Sequence, residues 1–107
     1  MTRMLLFVGL AGDVTRPQIV KTLSLLKVQS TDRTTQKYIA AGLLRRDPEP
    51  KPGGGLVHRI RLDERFFAYA ELRALIYRLI ETLHPEIRGY VSALGKPVSP
   101  TGEILRG

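Results

Sequence analysis

The stretch Ser30-Thr-Asp-Arg-Thr-Thr-Gln-Lys-Tyr-Ile-Ala-Ala-Gly-Leu-Leu-Arg-Arg46 decides how this sequence folds. Ser30 or Thr31 can cap a helix, and Asp32 sits favourably against its dipole. Thr34, Thr35, Tyr38 and Ile39 fall on one side of that helix, with Arg33, Gln36, Lys37 and Ala40 on the other. Gly42 supplies the C-terminal stop. This helix is polar for a core element, and its outward side reads as a row of hydrogen-bonding side chains. Leu43-Leu-Arg-Arg46 follows as a short strand.

Working towards the C-terminus, Asp47-Pro-Glu-Pro-Lys-Pro-Gly-Gly-Gly55 holds three prolines and three glycines in nine residues, the composition of a loop tip. Leu56 to Leu62 then alternates, with Leu56, His58, Ile60 and Leu62 on one face and Val57, Arg59 and Arg61 on the other. That period predicts a half-exposed strand pairing back across the loop. Asp63 is placed to cap a final helix, with Leu62 and Phe67 as a hydrophobic staple and Phe66 and Tyr69 adding to its start. Leu72, Leu75, Ile76, Leu79, Ile80 and Leu83 form its apolar stripe, and His84-Pro85 ends it. Residues 86–107 carry little pattern and read as a loose tail.

Working towards the N-terminus, Thr15-Arg-Pro-Gln18 reads as a capping box, with Thr15 as N-cap and Gln18 reaching back. Ile19, Val20, Leu23 and Leu26 then give an amphipathic helix of about three turns. Before it, Thr2 to Ala11 is apolar on every side, with Gly12 as its stop. Length and context favour a buried helix over a strand.

The sequence has 107 residues, enough for one domain with its own core. Its longest apolar run, Met4 to Ala11, is eight residues, well short of the roughly 20 that span a bilayer. No basic leader and small-residue cleavage pattern surround that run, so a cytoplasmic protein is expected. With no cysteine, disulfide scaffolds, thiol catalysis and Cys-ligated zinc are excluded. Seventeen Lys and Arg oppose ten Asp and Glu, for a net charge of +7. The excess is lopsided. Residues 1–46 hold eight bases and two acids, whereas residues 47–107 hold nine and eight. A basic first half beside a balanced second half points to a polyanionic partner for the first.

The order helix, helix, polar helix, strand, Gly/Pro loop, strand, apolar helix resembles the winged helix-turn-helix transcriptional regulators, and among them the ArsR-like group. Ala41-Gly-Leu-Leu-Arg-Arg46 looks like their exit from the recognition helix into the wing, Ser30-Thr-Asp-Arg-Thr-Thr35 like the entry to that helix, and Val57-His-Arg-Ile-Arg-Leu62 like the return strand. Leu62 to Leu75 looks like the helix after the wing. The resemblance covers residues 2–84. It departs from the family at Thr35 and Tyr38, where aliphatic residues are common.

The resemblance implies a mainly α fold with a small β-hairpin: a winged helix-turn-helix domain over residues 1–62, a long C-terminal dimerisation helix over 63–85, and the tail. It implies a sequence-specific, double-stranded-DNA-binding transcription regulator, acting as a homodimer. Arg33 would meet a guanine edge and Gln36 an adenine edge in the major groove, with Thr31, Asp32 and Thr34 beside them. Lys21, Lys27, Lys37, Arg45 and Arg46 would lie over phosphates, and Lys51, Arg59 and Arg61 would carry the wing along the backbone. Leu72, Leu75, Ile76, Leu79, Ile80 and Leu83 would form the dimer interface, unless the stripe folds back onto Met4–Leu10. The alternative is a protein-docking or RNA-binding module built on the same fold.

Enzyme readings are weak. Two histidines and no cysteine leave no legible nucleophile–base pair, and His58 sits on the apolar register as a packed side chain. Val8-Gly-Leu-Ala-Gly-Asp13 lacks both the Lys-Ser/Thr of a phosphate loop and the third glycine of a dinucleotide site. Glu81 and His84 lie one turn apart, too few ligands for a metal. No cofactor, metal or membrane partner is expected.

Overall fold

The computed structural model of the chain describes residues 3–25 and 31–95. Helix α1, Arg3–Ala11, is buried from Met4 to Ala11 on every side, as a helix apolar all round must be. It is the centre of the molecule. Gly12, at φ 82°, ends it in the left-handed region, with its N–H donating to the Val8 carbonyl at 2.9 Å. Val14–Thr15 then forms β1, a two-residue strand too short to leave a periodic signal. Thr15 also opens α2, Arg16–Leu25, through the expected capping box. Its N–H donates to Gln18 Oε1 at 2.9 Å, and the Gln18 N–H points back to Thr15 Oγ1 at 3.4 Å. Ile19 is buried and Val20 is exposed; Leu26, Lys27, Ser30 and the side chains of Leu23 and Thr31 lie outside the described residues.

Helix α3, Thr31–Ala40, ends in a Schellman motif. The Gly42 N–H donates to the Ile39 carbonyl and the Leu43 N–H to the Tyr38 carbonyl, both at 3.0 Å. The chain leaves this turn as β2, Leu44–Pro50, and returns as β3, Leu56–Leu62. The two pair antiparallel from Leu44↔Leu62 to Pro50↔Leu56, and β1 pairs the far side of β3, giving the order β1-β3-β2. The loop expected over 47–55 is therefore corrected: Asp47-Pro-Glu-Pro50 is strand. Its prolines are tolerated because β2 is the sheet edge. The Lys51 N–H reaches inward to the Gly55 carbonyl at 3.2 Å, so the alternate positions 48 and 50 turn their nitrogens to the open side.

The final helix is also corrected. It runs over Tyr69–Thr82, α4, and is not the long element expected from Asp63. Asp63 caps a turn instead, accepting from the Arg65 N–H at Oδ1 (2.9 Å), while its carbonyl takes the Phe66 N–H at 3.0 Å. Phe67, expected as a staple, is 93% exposed. Residues 86–95 are not loose tail: Ile87–Ser92 forms α5, with Ile87 and Val91 fully buried where it packs on α1. Residues 96–107 lie outside the described residues.

Leu72, Ile76 and Ile80 turn inward and join α1, β3 and α5 in one core. Gly9 lets α1 and α4 approach closely, since a Cβ there would stand 2.8 Å from Ile76 Cδ1. The fold is thus mixed α/β, with five helices and a three-stranded antiparallel sheet among the described residues; the expected hairpin is present, and β1 joins it as a third strand. No described helix is long and apolar enough to cross a membrane.

Candidate nucleic-acid interface

Helix α3 is fixed in rotation by what it buries. Thr35 is 5% exposed and its hydroxyl donates to Met4 Sδ at 3.2 Å, while Tyr38 and Ile39 pack against the core. The two residues that depart from the aliphatic pattern thus still face inward. Arg33, Gln36, Lys37 and Ala40 are left exposed, and Thr34 is half-buried at the boundary.

Asp32 takes a different role from the base contact expected of it. Its carboxylate accepts from Arg16 Nε at 3.0 Å and Arg16 Nη2 at 2.6 Å. This bidentate pair ties the first residue of α2 to the first turn of α3. The hydrogen bonds from Arg16 hold the Asp32 carboxyl below the usual carboxylate range, and the charges of Arg16 and Arg46 act the same way.

Successive side chains of β2 and β3 point to opposite faces, which separates the arginines expected to act together. Arg45, Arg59 and Arg61 share the face turned away from the buried Leu44, Ile60 and Leu62. There they meet carboxylates. Arg45 pairs with Asp47 at 3.1 Å and Glu64 at 2.6 Å, and Arg61 with Asp47 at 3.1 Å. Arg59 pairs with Glu49 at 2.5 Å and lies 3.8 Å from Asp13. Such exposed pairs add little stability. Their electrostatic consequence is larger: four acids stand within ion-pair distance of these three cations.

Arg46 points the other way, to the side of α3. It lines a cleft of about 290 Å³ together with Arg16, Ile19, Asp32, Thr35, Gln36, His58 and Ile60. His58 is half-buried, as its register suggested, but its Nδ1 is closed to solvent with no hydrogen-bond partner. Among the described residues, Lys21, Arg33, Lys37, Arg46 and Lys51 make no ion pair within contact distance. Lys51 stands at the exposed hairpin end, beside Gly53 and Gly54 in the left-handed region.

Two arrangements were not anticipated from sequence. The Arg16–Asp32 pair crosses two elements and leaves no local trace. The Arg73 guanidinium lies 5.7 Å from the Tyr69 ring centre and 5.5 Å from that of Tyr77, donating to Tyr77 Oη at 2.7 Å. The Tyr69, Arg73, Tyr77 spacing of four and four was a legible signal for it. Glu81 and His84 are engaged by Arg88 and Glu86, and no cluster of three metal-ligating side chains occurs among the described residues.

No family model, curated protein or solved structure matches this chain.

Proposed function

We propose that the chain is a winged-helix-like, double-stranded-DNA-binding transcription regulator that reads sequence with α3. The observation that carries this reading is the sorting of charge. Among the described residues, the cations of the exposed α3 side and of the adjoining hairpin root make no ion pair, whereas those on the far hairpin face are paired with carboxylates. An exposed helix flanked by unpaired cations fits a major groove, whose width admits one helix. Arg33 and Gln36 meet base edges, Lys37 and Arg46 take flanking phosphates, and Lys51 carries the hairpin tip to the backbone. Arg45, Arg59 and Arg61 leave this set, because a phosphate would have to displace their carboxylates. Asp32 leaves it as the positioning partner of Arg16.

Two copies acting on paired half-sites would meet through the outward side of α4. Leu75 and Leu83 are exposed there, with half-buried Leu79 between them, whereas Leu72, Ile76 and Ile80 are occupied within the chain. The molecular mass in solution tests this, and a mass of one chain removes the dimer.

Fluorescence anisotropy with duplex DNA, single-stranded DNA and duplex RNA at two salt concentrations tests the main reading. Duplex DNA binding that falls steeply with salt supports it. No binding to any of the three overturns it and favours protein docking, for which the 93% exposed Phe67 is the specific observation.

A further inference from the structure

We infer that the cleft between α3 and the root of the β2–β3 hairpin is a binding site for a phosphate group. Its wall brings residues from four elements to one place: Arg16 and Ile19 from α2, Asp32, Thr35 and Gln36 from α3, Arg46 from β2, and His58 and Ile60 from β3. At about 290 Å³ it has ample room for a tetrahedral oxyanion with part of its substituent.

The charges facing the cleft favour an anion. Asp32 is the one acid in the wall and stands against two cations, Arg16, which occupies both its oxygens, and Arg46, so the wall keeps one net positive charge. Arg46 is exposed and makes no ion pair among the described residues. Its planar fork of donors suits two oxygens of one phosphate. Gln36 adds an amide donor, and His58 adds a ring whose Nδ1 has no partner. A buried ring nitrogen without a partner is costly, and turning the His58 ring so that Nδ1 enters the cleft would let a ligand complete its hydrogen bonding. Ile19 and Ile60, both buried, form the apolar side of the cleft and hold the polar groups in a fixed array.

The inference shares Arg46 and Gln36 with the DNA reading and extends it, since the phosphate can belong to a nucleic-acid backbone or to a small phosphorylated molecule. The test is titration of the full chain with inorganic phosphate at constant ionic strength, following the His58 and Arg46 side-chain resonances by NMR. Saturable shifts at both residues are expected. Arg46→Gln and His58→Gln should each weaken phosphate binding by about tenfold, as for loss of one charge-assisted hydrogen bond. Arg59→Gln, on the opposite hairpin face, should leave it unchanged. Arg46 is exposed, so its variant keeps the fold and the experiment interpretable.

Shifts that rise without saturating, or equal binding by all three variants, overturn the site whether or not duplex DNA binds. Saturable phosphate binding without any DNA binding upholds the site and removes the DNA reading. When both bind, displacement of phosphate by duplex DNA assigns the site to a backbone phosphate, and simultaneous occupancy assigns it to a small phosphorylated ligand. Either outcome upholds the phosphate chemistry.

Discussion

Arg16 and Asp32 stand at the starts of consecutive helices, and their side chains meet through two hydrogen bonds of 2.6 and 3.0 Å. The pair bridges the starts of α2 and α3, next to the exposed Arg33 and within a turn or so of Gln36 and Lys37. Both partners are solvent-exposed, so the contact acts on orientation more than on stability. Arg16→Ala is expected to leave the melting temperature nearly unchanged while weakening duplex binding. Thermal denaturation and anisotropy on the same samples check the two halves of that statement.

The division of the hairpin into a neutralised and an uncompensated face gives a sharper expectation. Arg33→Gln and Lys37→Gln should each lower duplex affinity. Lys37→Gln should reduce the slope of log K against log salt by about one. Arg59→Gln should leave that slope unchanged, because its guanidinium is already paired with Glu49. Equal slope changes for Lys37 and Arg59 would contradict the assignment of faces.

Gly42 adopts φ 83° in the turn that joins α3 to β2, and a Cβ there would meet nothing within 4 Å. Gly42→Ala therefore carries only the backbone penalty of the left-handed region, about 1–2 kcal/mol. Urea denaturation should show a lower midpoint with an unchanged slope.

At Gly9 the constraint is packing. An alanine Cβ would lie 2.8 Å from Ile76 Cδ1 and 3.1 Å from its Cγ2. Gly9→Ala is expected to destabilise by about 1–3 kcal/mol despite the better helix propensity of alanine. Ile76→Val removes Cδ1 and should relieve part of that cost. The double variant should then be more stable than the sum of the single effects, a coupling read from a double-mutant cycle.

Asp63 supplies a pH-dependent test. The side-chain hydrogen bond from Arg65, with its backbone N–H, lowers the Asp63 carboxyl from 3.8 to about 2. Its contribution is therefore complete above the unfolded value near 4 and is lost as pH falls from about 4 to 2. The stability gap between the wild-type chain and Asp63→Asn should be larger at pH 5 and shrink towards pH 2. Urea titrations at the two pH values measure it.

Much of this architecture could be read locally. The Thr15–Gln18 capping box, the stop at Gly42, the bounds of the strand Leu56–Leu62 and the inward side of α3 all depend on residues within a few positions of one another. The prolines of Asp47-Pro-Glu-Pro50 misled because a proline excludes a central strand but not an edge one. Edge and centre are decided by a third strand. That strand, Val14–Thr15, pairs with Ile60 and Arg59, more than forty residues away in sequence, and is too short to show a period. The apolar stripe on the last helix was real, but its inner residues turned out to serve α1.

By itself, then, the sequence determined where the first three helices and the return strand Leu56–Leu62 lie and which α3 side chains face out, since hydrogen-bond spacing and side-chain period are local. Tertiary structure alone decided which cations remain uncompensated. Arg45, Arg46, Arg59 and Arg61 are alike in composition. Strand alternation turns Arg46 towards α3 and His58 and turns the other three towards Asp47, Glu49, Glu64 and Asp13. A field depends on distances between charges, and those distances exist only once the chain has folded.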